Sequence, residues 1–106
     1  MLWIVSCTDK ANTAAIRESV LQPHRDYLGS QKKILVLAGA TQTDDGNTAI
    51  GSLFVLNVNS RTEAKAFSDG DPFTQKGVFA EITITRMRRG QWNPDAAEGS
   101  KRRYFP

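Results

Sequence analysis

Four apolar, strand-like runs and two stretches of helical periodicity follow one another in this chain in the order β-α-β-β-α-β, and that order leaves few ways to fold. Leu2 to Cys7 is a compact run rich in strand formers, punctuated by Thr8-Asp9-Lys10. From Asn12 to about Leu28 the period turns helical, with Ile16, Val20 and Tyr27 near one stripe and Leu21 and Leu28 beside it. Pro23 has no backbone N–H to donate, so the helix is expected to kink or restart there, with His24 in the first turn of the second piece and Gly29 ending it. Ile34 to Ala38 forms the second strand, Asp44-Asp45-Gly46-Asn47 a polar reversal, and Gly51 to Val58 the third strand. Ser60-Arg61-Thr62-Glu63 fits a capping box in which Ser60 and Glu63 satisfy each other's exposed amides; Ala64 and Phe67 face inward and Gly70 closes that helix. Asp71-Pro72-Phe73 opens a further short turn or helix. Val78, Ala80, Ile82 and Ile84 then alternate with Phe79, Glu81, Thr83 and Thr85 as a half-buried fourth strand.

This is the α+β, ferredoxin-like order, two helices on one face of an antiparallel sheet. Ile34 to Leu37 and Leu53 to Leu56 are apolar at successive positions, so both faces of the sheet carry hydrophobic side chains. Two helices cover one face only. A second copy of the same sheet is the simplest cover for the other, which predicts a homodimer packed sheet against sheet. The competing cover is the C-terminal tail, although Gly90 to Ser100 offers only Trp92 as a large apolar anchor.

The 106 residues suffice for one domain with a modest core, and 40% hydrophobic with 24% charged residues is ordinary globular composition. Fourteen Lys and Arg against 11 Asp and Glu give a net charge of +3, too mild to announce nucleic acid. The lone Cys7 makes no internal disulfide, which suits a reducing cytoplasm. The apolar opening run is too short to span a bilayer and lacks the charged start of a signal peptide. The expectation is a soluble cytoplasmic protein with no membrane partner.

One histidine serves the whole chain, so any reaction needing an imidazole base at neutral pH must use His24. Arg17 lies seven residues earlier, two helical turns away, where a cation and an imidazole on one stripe can share a pocket for an anionic or phenolic substrate; by spacing alone a solvated helix edge is the simpler reading. Asp71-Pro72 places a well-held carboxylate just past a helix end, fit either to orient an imidazole or to cap the turn that follows. Asp9 at the end of the first strand and Ser52 at the start of the third are weaker candidates, with a turn residue and a small strand side chain as the plain alternatives. Cys7 reads as apolar filler. One His, one Cys and scattered carboxylates make no metal ligand set, and no phosphate-binding or dinucleotide glycine loop is present in the sequence. Arg86, Arg88 and Arg89 with Lys101-Arg102-Arg103 raise RNA binding, but the third strand is aliphatic where stacking rings belong, so no nucleic-acid partner is expected.

Met1-Leu2-Trp3 through Asp9-Lys10-Ala11, Arg17, Pro23-His24 with Tyr27-Leu28, Ala38-Gly39, Gly51-Ser52 and the Asp71-Pro72-Phe73 corner together resemble the YciI family over roughly residues 1–88. That resemblance implies a ferredoxin-like domain over 1–88 that dimerises as an α+β barrel, followed by an extension over 89–106. It also implies a His–Asp dyad at His24 and Asp71, with Pro72 setting the corner. The best-defined reaction in the family is dehydrochlorination of a chlorinated hydroxyhydroquinone, with neither metal nor organic cofactor. Carried onto this chain, the resemblance makes His24 the base that removes a phenolic proton, and Arg17 and Ser52 the groups that stabilise the developing oxygen charge. Asp9 would steady the ring or position a hydroxyl, and the substrate is a small hydroxylated, chlorinated aromatic. Isomerisation of a small lactone or enol, and non-catalytic binding of a phenolic ligand, are the alternatives. In the extension, Trp92 either caps the pocket or packs on the dimer edge.

Overall fold

Each of the four expected strands forms, and the structure, a computed structural model, describes residues 1–100. In chain order the elements are β1 (Leu2–Asp9), α1 (Ala14–Ser19), α2 (Leu21–Ser30), β2 (Leu35–Gln42), β3 (Ala49–Asn57), α3 (Arg61–Gly70), α4 (Pro72–Gln75) and β4 (Phe79–Met87), followed by a single 3₁₀ turn over Pro94–Ala97. The strands lie in the order β2-β3-β1-β4, every neighbouring pair antiparallel, which is the ferredoxin-like topology. Along β1 the pleat sends Trp3, Val5 and Cys7 into the core and leaves Leu2, Ile4 and Ser6 half-buried on the other side. Phe54 and Leu56 of β3, Ala64 and Phe67 of α3, and Phe73 of α4 complete the core with Val78 and Phe79. No helix among the described residues is long and apolar enough to cross a membrane.

The outer face of the sheet carries Leu2, Ile4, Leu53 and Val55, all half-buried, with Leu37 61% exposed opposite Val55. The helices pack on the opposite face. The successive apolar positions of β2 and β3 therefore do supply both faces, and the described residues leave one of them partly exposed.

Several local details differ from expectation, each for a physical reason. The first helix starts at Ala14 rather than Asn12, because Asn12 takes a left-handed φ of 60° in the turn out of β1. The helix breaks at Val20, which ends α1 and begins α2, and not at Pro23. Pro23 is the third residue of α2, where its missing N–H is one that the helix would leave unpaired anyway. His24 does fall in that first turn and donates its backbone N–H to the Val20 carbonyl at 3.0 Å. Gly29 does not terminate the helix, which runs on to Ser30; the Gln31 carbonyl takes the N–H groups of both Ile34 and Leu35 at 3.0 Å instead. In α3 the Glu63 N–H donates to Ser60 Oγ at 3.1 Å, but the Glu63 carboxylate reaches the N–H of Asn59, one residue outside the expected box.

Two features at the end of β1 prepare the site. The β1–β4 register shifts between Thr8 and Asp9, setting Asp9 opposite Phe79 and leaving Ala80 as the extra residue of a bulge, a device that re-aims strand ends. On β3, a Cβ at Gly51 would collide with the Cys7 carbonyl oxygen, backbone that cannot swing aside. Only glycine allows β1 and β3 to close together at that point.

Candidate active site

Asp71 sits where α3 ends and α4 begins, and its extended backbone (φ −73°, ψ 125°) turns the carboxylate back over the first turn of α4. Pro72 fixes that turn at the first helical position, where proline fits best. One carboxylate oxygen, Oδ1, accepts the Phe73 N–H at 2.9 Å and also meets Nδ1 of His24 at 2.7 Å. The two readings left open for Asp71 are thus realised together: it caps α4 and it bonds the imidazole. A carboxylate only accepts, so Nδ1 donates the shared proton, and in the neutral imidazole the lone pair is then on Nε2. Both partners are buried, His24 at 7% and Asp71 at 1% exposure. Asp71 Oδ2 is buried with no hydrogen-bond partner among the described residues. Nε2 bonds no described protein group and is the free end of the pair.

Arg17 reaches the same region from α1. Its Nε donates to Asp9 Oδ2 at 2.9 Å, and one terminal nitrogen donates to the Gly51 carbonyl at 2.7 Å and to Ser52 Oγ at 3.0 Å, with Asp9 Oδ1 at 3.4 Å. The guanidinium is clamped by β1 and β3. A partly buried arginine held in this way is pre-aimed, because its rotamer freedom is already lost. Since Ser52 Oγ accepts from Arg17, its own hydroxyl proton remains free to donate.

The two groups of side chains meet on Phe73, which is completely buried. Its ring stacks on the His24 imidazole with centroids 3.7 Å apart and planes 4° from parallel, and the Arg17 guanidinium carbon lies 4.7 Å from the same ring centroid. Phe54 approaches His24 edge-on at 6.3 Å. All six residues singled out from the sequence, Asp9, Arg17, His24, Ser52, Asp71 and Pro72, are therefore linked through one cluster. Sequence reasoning missed the Gly51 carbonyl and the ring of Phe73, which read only as part of the helix-opening corner.

Cys7 lies within this cluster, opposite Ser52 in the β1–β3 register. Burial, then the negative charges of Asp71 and Asp9, push its thiol up to about 12 against the weaker opposing pull of Arg17. The thiol therefore stays protonated at any physiological pH and is a packing group, as expected from sequence. Native protein at pH 8 is expected to resist iodoacetamide, and to take up one label only once unfolded in denaturant. Rapid labelling of the folded chain, followed by mass spectrometry, would contradict this placement.

Among the described residues no group of three or more His, Cys, Asp or Glu side chains could hold a metal ion. Trp92 is 56% exposed, and the Arg89 guanidinium lies 5.7 Å over its ring. A surface recess of about 640 Å³ lies at the ends of β1 and β4, lined by Met1, Leu2, Arg86, Met87, Arg88 and Arg89, and it holds neither imidazole nor carboxylate. The basic residues Lys101, Arg102 and Arg103 that entered the RNA-binding reading lie outside the described residues.

The fold and site together define a ferredoxin-like α+β protein with a buried histidine–aspartate pair set beside a clamped arginine. The chain belongs to the YCII-related domain family, whose profile matches residues 1–88. It is 27% identical over 96 residues to Protein YciI of Escherichia coli O6:H1 (strain CFT073) and to that of Shigella flexneri, the match covering 84% of this chain and 98% of each relative. Among solved structures it is similar to 5-chloro-2-hydroxyhydroquinone dehydrochlorinase (TftG) of Burkholderia phenoliruptrix AC1100 in complex with 2,5-dihydroxybenzoquinone. That likeness has a TM-score of 0.78 and 26% identity over 85% of this chain and 96% of the other. A protein from Agrobacterium tumefaciens, 14% identical with a TM-score of 0.53 over 89% of this chain and 98% of its own, shares the fold.

Proposed function

We propose that this protein is a lyase that removes hydrogen chloride from a chlorinated hydroxyhydroquinone, with His24 Nε2 as the proton-transfer group. The observation that carries the reading is the 2.7 Å bond between His24 Nδ1 and Asp71, which leaves the opposite ring nitrogen without a described protein partner. The likeness to the dehydrochlorinase supports the substrate class.

The chemistry balances without an external electron acceptor. Nε2 takes a phenolic proton, and Asp71 steadies the imidazolium that forms. The imidazolium returns that proton to the chlorine-bearing carbon, giving a non-aromatic ketone. Loss of a proton from a second ring hydroxyl then drives electrons through the ring and expels chloride with the carbon–chlorine bonding pair. One hydrogen chloride leaves, and a hydroxybenzoquinone remains. Arg17 and the free Ser52 hydroxyl face the oxygen on which negative charge builds, as donors in an oxyanion site do. Asp9, with both its oxygens turned to Arg17, aims the guanidinium in place of touching the ring. Pro72 holds the Asp71 corner.

The apolar face that the described residues leave partly exposed supports a homodimer closed sheet against sheet, and the lone, unpaired Cys7 is in keeping with a reducing cytoplasm. Sedimentation at micromolar concentration is expected to give a dimer; a strict monomer would overturn that assignment. For the reaction, purified protein with chlorinated hydroxyhydroquinone is expected to release chloride well above the spontaneous rate at a chloride electrode. Release no faster than in buffer would defeat the proposed substrate.

A further inference from the structure

We infer that Phe73 is a positioning residue that holds the His24 imidazole and the Arg17 guanidinium in one fixed relation through the two contacts of its ring. This rests on the proton-transfer role given to His24 above. Phe73 is fully buried and acts through its neighbours, so it is not itself a catalytic residue.

Three contacts converge on it. Its backbone N–H donates at 2.9 Å to Asp71 Oδ1, the same oxygen that receives His24 Nδ1–H, so the carboxylate cannot rotate away from the imidazole without giving up the α4 cap. Its ring lies flat on the imidazole at 3.7 Å and 4°. Its ring also carries the Arg17 guanidinium at 4.7 Å.

The stacking geometry is informative in itself. Two neutral aromatic rings prefer an offset or edge-on arrangement to a parallel face-to-face one, because their π faces repel. A cation over a π face is attracted. A parallel imidazole–phenyl stack is thus imposed by the surrounding core, and it fixes the plane in which His24 presents Nε2. The other charged or titratable groups of the cluster are Asp71 from the α3–α4 junction, Arg17 from α1, Asp9 and Cys7 from β1, and Tyr27 one turn on in α2. Phe73 is the uncharged element among them that touches both the imidazole and the guanidinium.

The chain's single histidine gives one set of imidazole signals, so the test needs no assignment by mutation. In wild-type protein a far-downfield proton is expected for Nδ1–H, together with upfield ring-current shifts of the His24 carbon-bound protons. Phe73→Leu and Phe73→Met, each checked for a cooperative melt, are expected to erase the ring-current shift and to broaden the Nδ1–H signal through faster exchange. Chloride release is expected to lose about a hundredfold in kcat with KM little changed, the cost of a misplaced base. Folded variants whose imidazole signals match wild type would overturn the inference, as would shifted signals with unchanged kcat. If wild-type protein releases no chloride, the proposed reaction fails separately, and the imidazole signals alone decide whether Phe73 positions the ring.

Discussion

His24→Asn is expected to abolish nearly all turnover while leaving the fold in place. Asparagine can still donate an N–H toward Asp71 Oδ1, so the buried carboxylate keeps a partner, yet it has no lone-pair nitrogen to accept a proton. The loss of a positioned general base is worth roughly a thousandfold in kcat. Chloride release reads the activity, and circular dichroism melting reads the fold. His24→Ala should lose as much activity but melt lower, because Asp71 then keeps only the Phe73 amide on Oδ1 and nothing on Oδ2. A His24→Asn protein that still releases chloride near the wild-type rate would show that the imidazole is architectural and that the base lies elsewhere.

Arg17→Met is expected to produce the largest fall in stability. The side chains of Arg17 and Asp9 are 13% and 9% exposed, and the pair is bonded through Nε at 2.9 Å. Removing the cation strands a buried carboxylate, and breaking one half of such a pair costs about 3 kcal/mol or more. For a domain of this size that is a drop in melting temperature on the order of 15 °C. The cost is expected to fall mainly on the orphaned charge rather than on lost packing. Adding Asp9→Asn to Arg17→Met should therefore recover a good part of the stability but none of the activity, since in the proposed mechanism the guanidinium faces the reacting oxygen. A double variant no more stable than Arg17→Met would place the cost in the Gly51 and Ser52 contacts instead.

The sheet and the order of its elements were legible because each strand shows its period locally, and so was the bare second face, since Leu53 to Leu56 cannot be apolar at every position and hide all of it on one side. Helix boundaries were less so. The break at Val20 and the run past Gly29 depend on which carbonyls the tertiary structure leaves available, not on the breaker residues themselves. The resemblance supplied the pairing of His24 with Asp71, whereas local pattern alone left both residues with ordinary explanations, because their bond closes a gap of 47 residues. The clamp of Asp9 on Arg17 was not visible at all. It requires the left-handed turn at Asn12 to bring α1 back along the end of β1. The role of Phe73 is hidden in the sequence for a different reason: an aromatic residue after Asp-Pro is what any core would place there, and nothing local distinguishes packing against aliphatics from packing against an imidazole.

The double duty of Asp71 has an evolutionary consequence. A descendant that abandons the reaction gains nothing by discarding this aspartate, since α4 would fray without it. It would be retained as masonry after the chemistry had gone. Within this lineage, then, an intact aspartate is poor testimony to an active enzyme, and the ring that leans on it is the witness to question.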